Sequence, residues 1–212
     1  MLLYPAALAA LLAALPSFVV PVAATASPKR GLIFIPNTTT RQDDRIWVTK
    51  PTDLTWYYSY GTSPDSTYQD IPQSEFEFVP MLWGAPGNVQ DTSFLSTVRS
   101  LKDNGVNIKN VLSFNEPDGP FEWGGSNVSP AIAAQVWVNT FIPLQEMGVR
   151  VGLPACTGAP TGLPWLQSFL AECAKLVSTN GNQRNCPYDF VTIHWYGNFE
   201  GLASHMGQYS AA

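Results

Sequence analysis

Six short apolar runs, each stopped by glycine, proline or turn residues, recur along this chain, and helical patterns separate the later ones. They are Gly31–Ile35, Trp56–Tyr60, Phe76–Trp83, the run through Val111, Leu112 and Phe114, Val149–Leu153, and Tyr188–Tyr196. Branched and aromatic residues dominate them, which reads as strand, and the first has the look of a strand buried on both faces. Phe94, Leu95, Val98 and Leu101 recur at helical spacing before Asn104-Gly105, so a helix precedes the fourth run. Ser129-Pro130 supplies an N-cap followed by proline at the first helical position, opening a helix from Ala131 to Met147 that Gly148 stops. Leu163 to Val177 reads as another helix through Trp165, Phe169, Leu170, Cys173 and Leu176. Strands alternating with helices in this way specify βα units and a parallel sheet.

Two α/β architectures compete for such a pattern. An open doubly wound sheet would carry a glycine-rich phosphate turn after its first strand. This chain has Pro36-Asn37-Thr-Thr-Thr40 there, so a (β/α)8 barrel of the TIM type is preferred. Such barrels run to about 250 residues. With six runs counted and only Gly197 to Ala212 remaining, the barrel is expected to be incomplete, with strands seven and eight missing.

Asn110-Val-Leu-Ser-Phe-Asn-Glu-Pro-Asp118 takes the fourth run directly into an Asn-Glu pair. Pro117 has no N–H to continue a ladder and Asp118-Gly119-Pro120 is turn chemistry, so Glu116 stands where strand becomes loop. In a parallel barrel the C-terminal strand ends carry the chemistry. A carboxyl there suits protonation of a departing glycosidic oxygen, while Asn115 beside it hydrogen-bonds a sugar hydroxyl. The competing reading of the tripeptide alone is a strand-capping turn.

The flanking features concern export and partners. Met1 to Ala26 is almost all Ala, Leu, Val and Pro and ends in Ala24-Thr-Ala26, the small-x-small form of a cleavage site, so it is read as a signal peptide ahead of a domain spanning 27–212. Its start lacks a Lys or Arg, and Pro5, Pro16 and Pro21 argue against a spanning anchor. No stable membrane association is expected, and the protein is placed outside the cell or in the cell wall. Asn37-Thr-Thr39 and Asn127-Val-Ser129 are N-glycosylation sequons, the second weakened by Pro130. Of three cysteines, Cys173 and Cys186 bracket a polar stretch that a disulfide would close, leaving Cys156 over. That spacing and two histidines fit no metal site. A net charge of -5 without a basic run argues against nucleic acid, and a neutral ligand fits better. Seven tryptophans in a chain with 13% charged residues offer flat faces for stacking on sugar rings.

Phe78-Val-Pro-Met-Leu-Trp-Gly84, Ser113-Phe-Asn-Glu-Pro-Asp118, Gly162-Leu-Pro-Trp-Leu166 and His194-Trp-Tyr-Gly197 together resemble, in this order, glycoside hydrolase family 128, the glycosyl hydrolase catalytic core of the alkali-sensitive-linkage type. The resemblance covers Gly31 to the end. It implies a (β/α)8 barrel acting on β-1,3-glucan by a retaining mechanism, with Glu116 as acid/base and Asn115 contacting the sugar. Retention needs a second carboxylate about 5 to 5.5 Å away, and in the family it ends the seventh strand, beyond the sixth run of this chain. Asp189 lies at the wrong end of its run and Glu200 in the loop after it, so the nucleophile is expected to be absent and the chain inactive alone. His194 and Tyr196 share a strand face by the two-residue period and resemble the pair that borders the nucleophile. Trp83 at the end of the third run and Trp123 in the loop after Glu116 are candidate subsite floors, whereas Trp56, Trp137 and Trp165 are read as core.

Two functions from different classes are carried forward. One is a secreted, monomeric glycosidase acting on a β-glucan polysaccharide and needing no cofactor, since two carboxyls and water suffice. The alternative is a non-catalytic glucan-binding cell-wall protein using the same aromatic faces. A serine or cysteine hydrolase fails because there is no Gly-x-Ser-x-Gly elbow and His205 lies in a polar tail.

Overall fold

The computed structural model describes residues 29–211. The proposed signal peptide therefore lies outside the described residues. Three short strands, β1 (Gly31–Ile33), β2 (Trp56–Tyr58) and β3 (Glu77–Phe78), form a parallel sheet in the order β1-β2-β3. Helix α1 (Ser93–Asp103) leads into β4 (Asn110–Val111), which pairs in parallel with β5 (Arg150–Val151). The two sheets are joined where Leu112 N–H donates to the Pro80 carbonyl at 2.9 Å and Leu82 N–H to the Leu112 carbonyl at 3.1 Å. Beyond β5, Leu153 N–H donates to the Phe190 carbonyl at 2.9 Å and Asp189 N–H to the Val151 carbonyl at 3.0 Å. All six apolar runs thus neighbour one another in chain order, each parallel to the last.

Helices cover one side of this succession. α1 buries Phe94, Leu95 and Val98, the spacing that foretold it. The helix opened by Ser129, whose Oγ accepts from Ile132 N–H, has three parts: α2 (Pro130–Val136), a π-helical turn (Trp137–Phe141) and α3 (Ile142–Glu146). A single helix to Met147 was expected, and Pro143 is the reason for the difference. It has no N–H to give and its ring crowds the carbonyl one turn back, so the ladder shifts register, with Ile142 N–H reaching Trp137. α4 (Gly162–Val177) packs against α2 through Leu166, Phe169 and Cys173. The core between helices and strands is dense with aromatics: Trp137 stacks on Phe141 and meets Phe169 edge-on, and Tyr57, Phe78, Phe114 and Leu153 close it from the strand side.

Alternation puts Trp56, Tyr58, Met81 and Leu112 on the other face, where they line an open trough of about 700 Å³ together with Ile33 and Thr192. This corrects the reading of the first run as buried on both faces: Ile33 is 57% exposed and Ile35 72% exposed, because alternation turns them toward open hollows, Ile33 onto this trough and Ile35 onto a smaller cleft beside it. The sixth run is not a regular strand. Val191 is exposed, and the run meets the fifth through Asp189, through a single bridge at Phe190 and through the Thr192 hydroxyl, which donates to the Leu153 carbonyl.

The segment after Gly197 is a second correction. Phe199–Ala211 is a helix, α5, not a polar tail, and His205 is buried in it between Trp195 and Tyr209. Glu200 belongs to its first turn rather than to a loop. Cys173 and Cys186 are joined by a disulfide with Cα atoms 5.3 Å apart. Cys156 is a free buried thiol, and that burial pushes its pKa up. No helix among the described residues is long and apolar enough to cross a membrane.

Candidate active site

The site grows out of the end of the fourth run. Phe114 is anchored in the core and Asn115 still holds ladder geometry, its N–H donating to the Trp83 carbonyl at 2.8 Å. At Glu116 the chain turns: its φ is 43°, a left-handed conformation that costs a non-glycine residue about 1–2 kcal/mol. Strained backbone persists only where its surroundings fix it. Here Glu116 N–H donates to the Ala155 carbonyl at 2.7 Å, and its own carbonyl accepts from Gly119 N–H at 2.9 Å. Loop 117–128 then folds back over the strand end. Ser126 N–H donates to the Asn115 carbonyl at 2.9 Å, and Asn115 Nδ2 donates to the Gly124 carbonyl at 2.9 Å. Gly125 makes that closure fit, since a β-carbon there would stand 2.7 Å from the Glu116 carbonyl oxygen.

The turn aims the Glu116 side chain at the sixth run. Its Oε1 lies 2.8 Å from His194 Nδ1, with both side chains largely shielded from solvent. They sit in a cleft of about 350 Å³ whose walls include Trp83, Trp123, Tyr196 and Tyr60. Trp83 is stacked against Phe121 at 6.2 Å between ring centres. Trp123 and Tyr196 are 83% and 87% exposed and present free faces at the rim.

All six residues expected at the site, Glu116, Asn115, Trp83, Trp123, His194 and Tyr196, therefore line one cleft. Asn115 does more than was expected of it: its amide nitrogen is committed to the Gly124 carbonyl, and its Oδ1 is the atom without a protein partner. Sequence reasoning missed Tyr60, Ile35 and Tyr58. Tyr60 and Ile35 end the second and first runs, so the strand-end argument that found Glu116 would have found both. Tyr58 lies beneath Tyr60 with rings 5.2 Å apart. Burial first, then Tyr60, Tyr196 and Glu116, push its phenol above the ordinary range and keep it protonated. Glu200 and Asp189 do not line the cleft. Asp189 accepts from Val151 N–H and Gln145 Nε2, which is a structural role.

Chemically, the arrangement can orient a shielded carboxyl through an imidazole and seat an apolar ring face against indole and phenol walls. Among the described residues Glu116 is the one carboxylate lining the cleft.

Comparison with known proteins accords with this geometry. A family profile described as glycosyl hydrolase catalytic core matches residues 31–212. Alkali-sensitive linkage protein 1 of Schizosaccharomyces pombe is 31% identical over 183 residues, covering 85% of this chain and 28% of that protein. The crystal structure of an endo-β-1,3-glucanase of glycoside hydrolase family 128, subgroup II, from Pseudomonas viridiflava superposes with a TM-score of 0.57 at 26% identity, over 74% of this chain and 58% of that one. A subgroup VII oligosaccharide-binding protein from Cryptococcus neoformans gives 0.53 at 25% identity, over 74% and 56%. This chain thus spans less than two thirds of the length of each of these relatives. By its motifs and by its match to the family profile, the chain belongs to the glycosyl hydrolase catalytic core family, glycoside hydrolase family 128.

Proposed function

We propose that this chain carries the acid/base side of a β-1,3-glucan-hydrolysing site in an exported protein of the cell surface or wall. One observation carries the reading: a shielded glutamate at the end of the fourth parallel segment, hydrogen-bonded to His194, at the floor of an aromatic-walled cleft. Glu116 protonates the leaving glycosidic oxygen, and Asn115, which lines the cleft beside it, contacts the sugar. Trp83, Trp123 and Tyr196 receive the apolar faces of the glucose rings. The likeness to the endo-β-1,3-glucanase of Pseudomonas viridiflava supports the substrate class. A retaining reaction requires a second carboxylate about 5 to 5.5 Å from the first. In this reading the scaffold is a (β/α)8 barrel of which the described residues form six parallel segments, and the nucleophile comes from outside those segments. Residues 1–26 act as the signal peptide and 27–212 form the catalytic domain.

The single carboxylate that the described residues place in the cleft favours a second reading, a non-catalytic β-glucan-binding protein, and the likeness to the oligosaccharide-binding protein of Cryptococcus neoformans supports it. Laminarin hydrolysis and laminari-oligosaccharide calorimetry separate the two. The enzyme reading expects a polypeptide extended through two further βα units to hydrolyse laminarin and Glu116→Gln to abolish that activity while the fold persists. Binding without hydrolysis by the extended polypeptide supports the second reading, and full activity of Glu116→Gln removes the glutamate from its role.

A further inference from the structure

Between the fourth and fifth segments the parallel ladder stops at Glu116 for a local reason. Ala155 N–H donates to the Phe114 carbonyl at 3.1 Å and Glu116 N–H donates to the Ala155 carbonyl at 2.7 Å. Thr157 N–H is the next donor in that series, and the Glu116 carbonyl would be its acceptor. The left-handed turn at Glu116 withdraws that carbonyl, which bonds Gly119 N–H instead. A side chain fills the acceptor position. Asp118 Oδ1 accepts from Thr157 N–H at 2.8 Å, while Oδ2 accepts from the Thr157 hydroxyl and, at 3.0 Å, from the Thr161 hydroxyl. Thr161 immediately precedes α4, so the carboxylate ties the turn carrying Glu116 to the start of a sixteen-residue helix.

We propose that Asp118 is a positioning residue for Glu116, its carboxylate standing in for the ladder carbonyl and so holding Glu116 in the conformation that faces His194. Without Asp118, the partly buried Thr157 N–H has no acceptor. The local remedy is for Glu116 to return to a negative φ and offer its carbonyl again, which swings its side chain away from His194. The inference rests on the reading of Glu116 as the acid, but the geometry is measurable without activity.

The test uses the full isotope-labelled chain and two NMR readouts. The Glu116 HN–Hα coupling with its intraresidue NOE reports the sign of φ, and the His194 ring titration reports the Glu116 contact. In Asp118→Ala, Glu116 is expected to lose its positive-φ signature, and His194 to titrate as it does in Glu116→Gln. Asp118→Asn keeps one carbonyl oxygen for Thr157 N–H and is expected to retain the positive φ. Should Asp118→Ala fail to fold, Thr161→Val, which removes a single bond of the three, is expected to give exchange between the two φ signs at Glu116. An unchanged φ and an unchanged His194 titration in folded Asp118→Ala, or failing that in Thr161→Val, overturns the proposal. If Asp118→Ala flips Glu116 while Glu116→Gln in the extended polypeptide leaves laminarin hydrolysis intact, the positioning stands and only the acid reading falls.

Discussion

Nδ1 of His194 lies 2.8 Å from Oε1 of Glu116, although 78 positions separate the two residues in the chain. The contact joins the fourth segment to the sixth, and it fixes one rotamer of a side chain whose carboxyl is otherwise free to rotate in the cleft. A proton donor misplaced by an ångström costs on the order of 10²-fold in rate.

His194→Ala is therefore expected to lower kcat on laminarin about 10²-fold, with a smaller change in KM, in a polypeptide that turns over this substrate. Steady-state kinetics on laminarin supply the measurement. A KM effect with kcat intact would instead make His194 a simple substrate contact.

Glu116 and Asn115 were legible because a proline and a turn end an apolar run at a defined point, and strand ends are where a parallel sheet presents its chemistry. The same logic applied to the second run would have shown Tyr60. The bridging of loop 117–128 by Asn115 was not legible, since it depends on Gly124 and Gly125 meeting the strand end in space. Helix α5 was hidden for a different reason: Gly201, Gly207 and scattered Ser and Gln blur its apolar stripe, and only burial of His205 and the Tyr209 contact show which face turns inward. The sixth run failed in the opposite sense. Val191-Thr-Ile193 has strand propensity, but a strand exists through pairing along its length, and among the described residues this run is bridged only at Phe190.

The two indoles of the cleft should separate by experiment. Trp123 is 83% exposed and takes no part in the core, so Trp123→Ala is expected to leave stability within about 0.5 kcal/mol. Its loss from the rim should weaken laminari-oligosaccharide binding by about 1 kcal/mol, roughly fivefold. Trp83, stacked on Phe121, is expected to lower both affinity and melting temperature when replaced by Ala. Calorimetry and thermal melts of both variants give the comparison, and a destabilised Trp123→Ala of unchanged affinity would remove that residue from the subsite.

The Cys173–Cys186 link closes a loop of sequence separation 13, and a loop of this size is restrained by about 3 kcal/mol on the chain-entropy account. The double variant Cys173→Ala/Cys186→Ala should melt about 6 to 12 °C lower, the shift expected for that loss in a domain of this size. Non-reducing peptide mapping of the unaltered protein comes first. Two free thiols there, or an unshifted melt in the variant, would leave the loop held by the packing of α4 alone.

The two sequons differ in what their side chains are already doing. Asn37 is exposed and its Oδ1 accepts from Thr39 N–H and Thr40 N–H, which presents the amide nitrogen outward from a compact Asx turn. Asn127 is held at a φ of 47° by the loop that closes over Asn115, and the hydroxyl its sequon requires belongs to Ser129, which accepts from Ile132 N–H as the cap of α2. Pro130 follows directly and fixes that cap. Glycan transfer at Asn127 would have to draw Ser129 from the helix end, at a cost of about 1 kcal/mol for the lost cap, while transfer at Asn37 disturbs no element. Expression through a eukaryotic secretory route is thus expected to give glycan on Asn37 and an unmodified Asn127. Peptide mass mapping before and after enzymatic deglycosylation reads the occupancy of each site, and full occupancy at Asn127 with none at Asn37 would invert the argument.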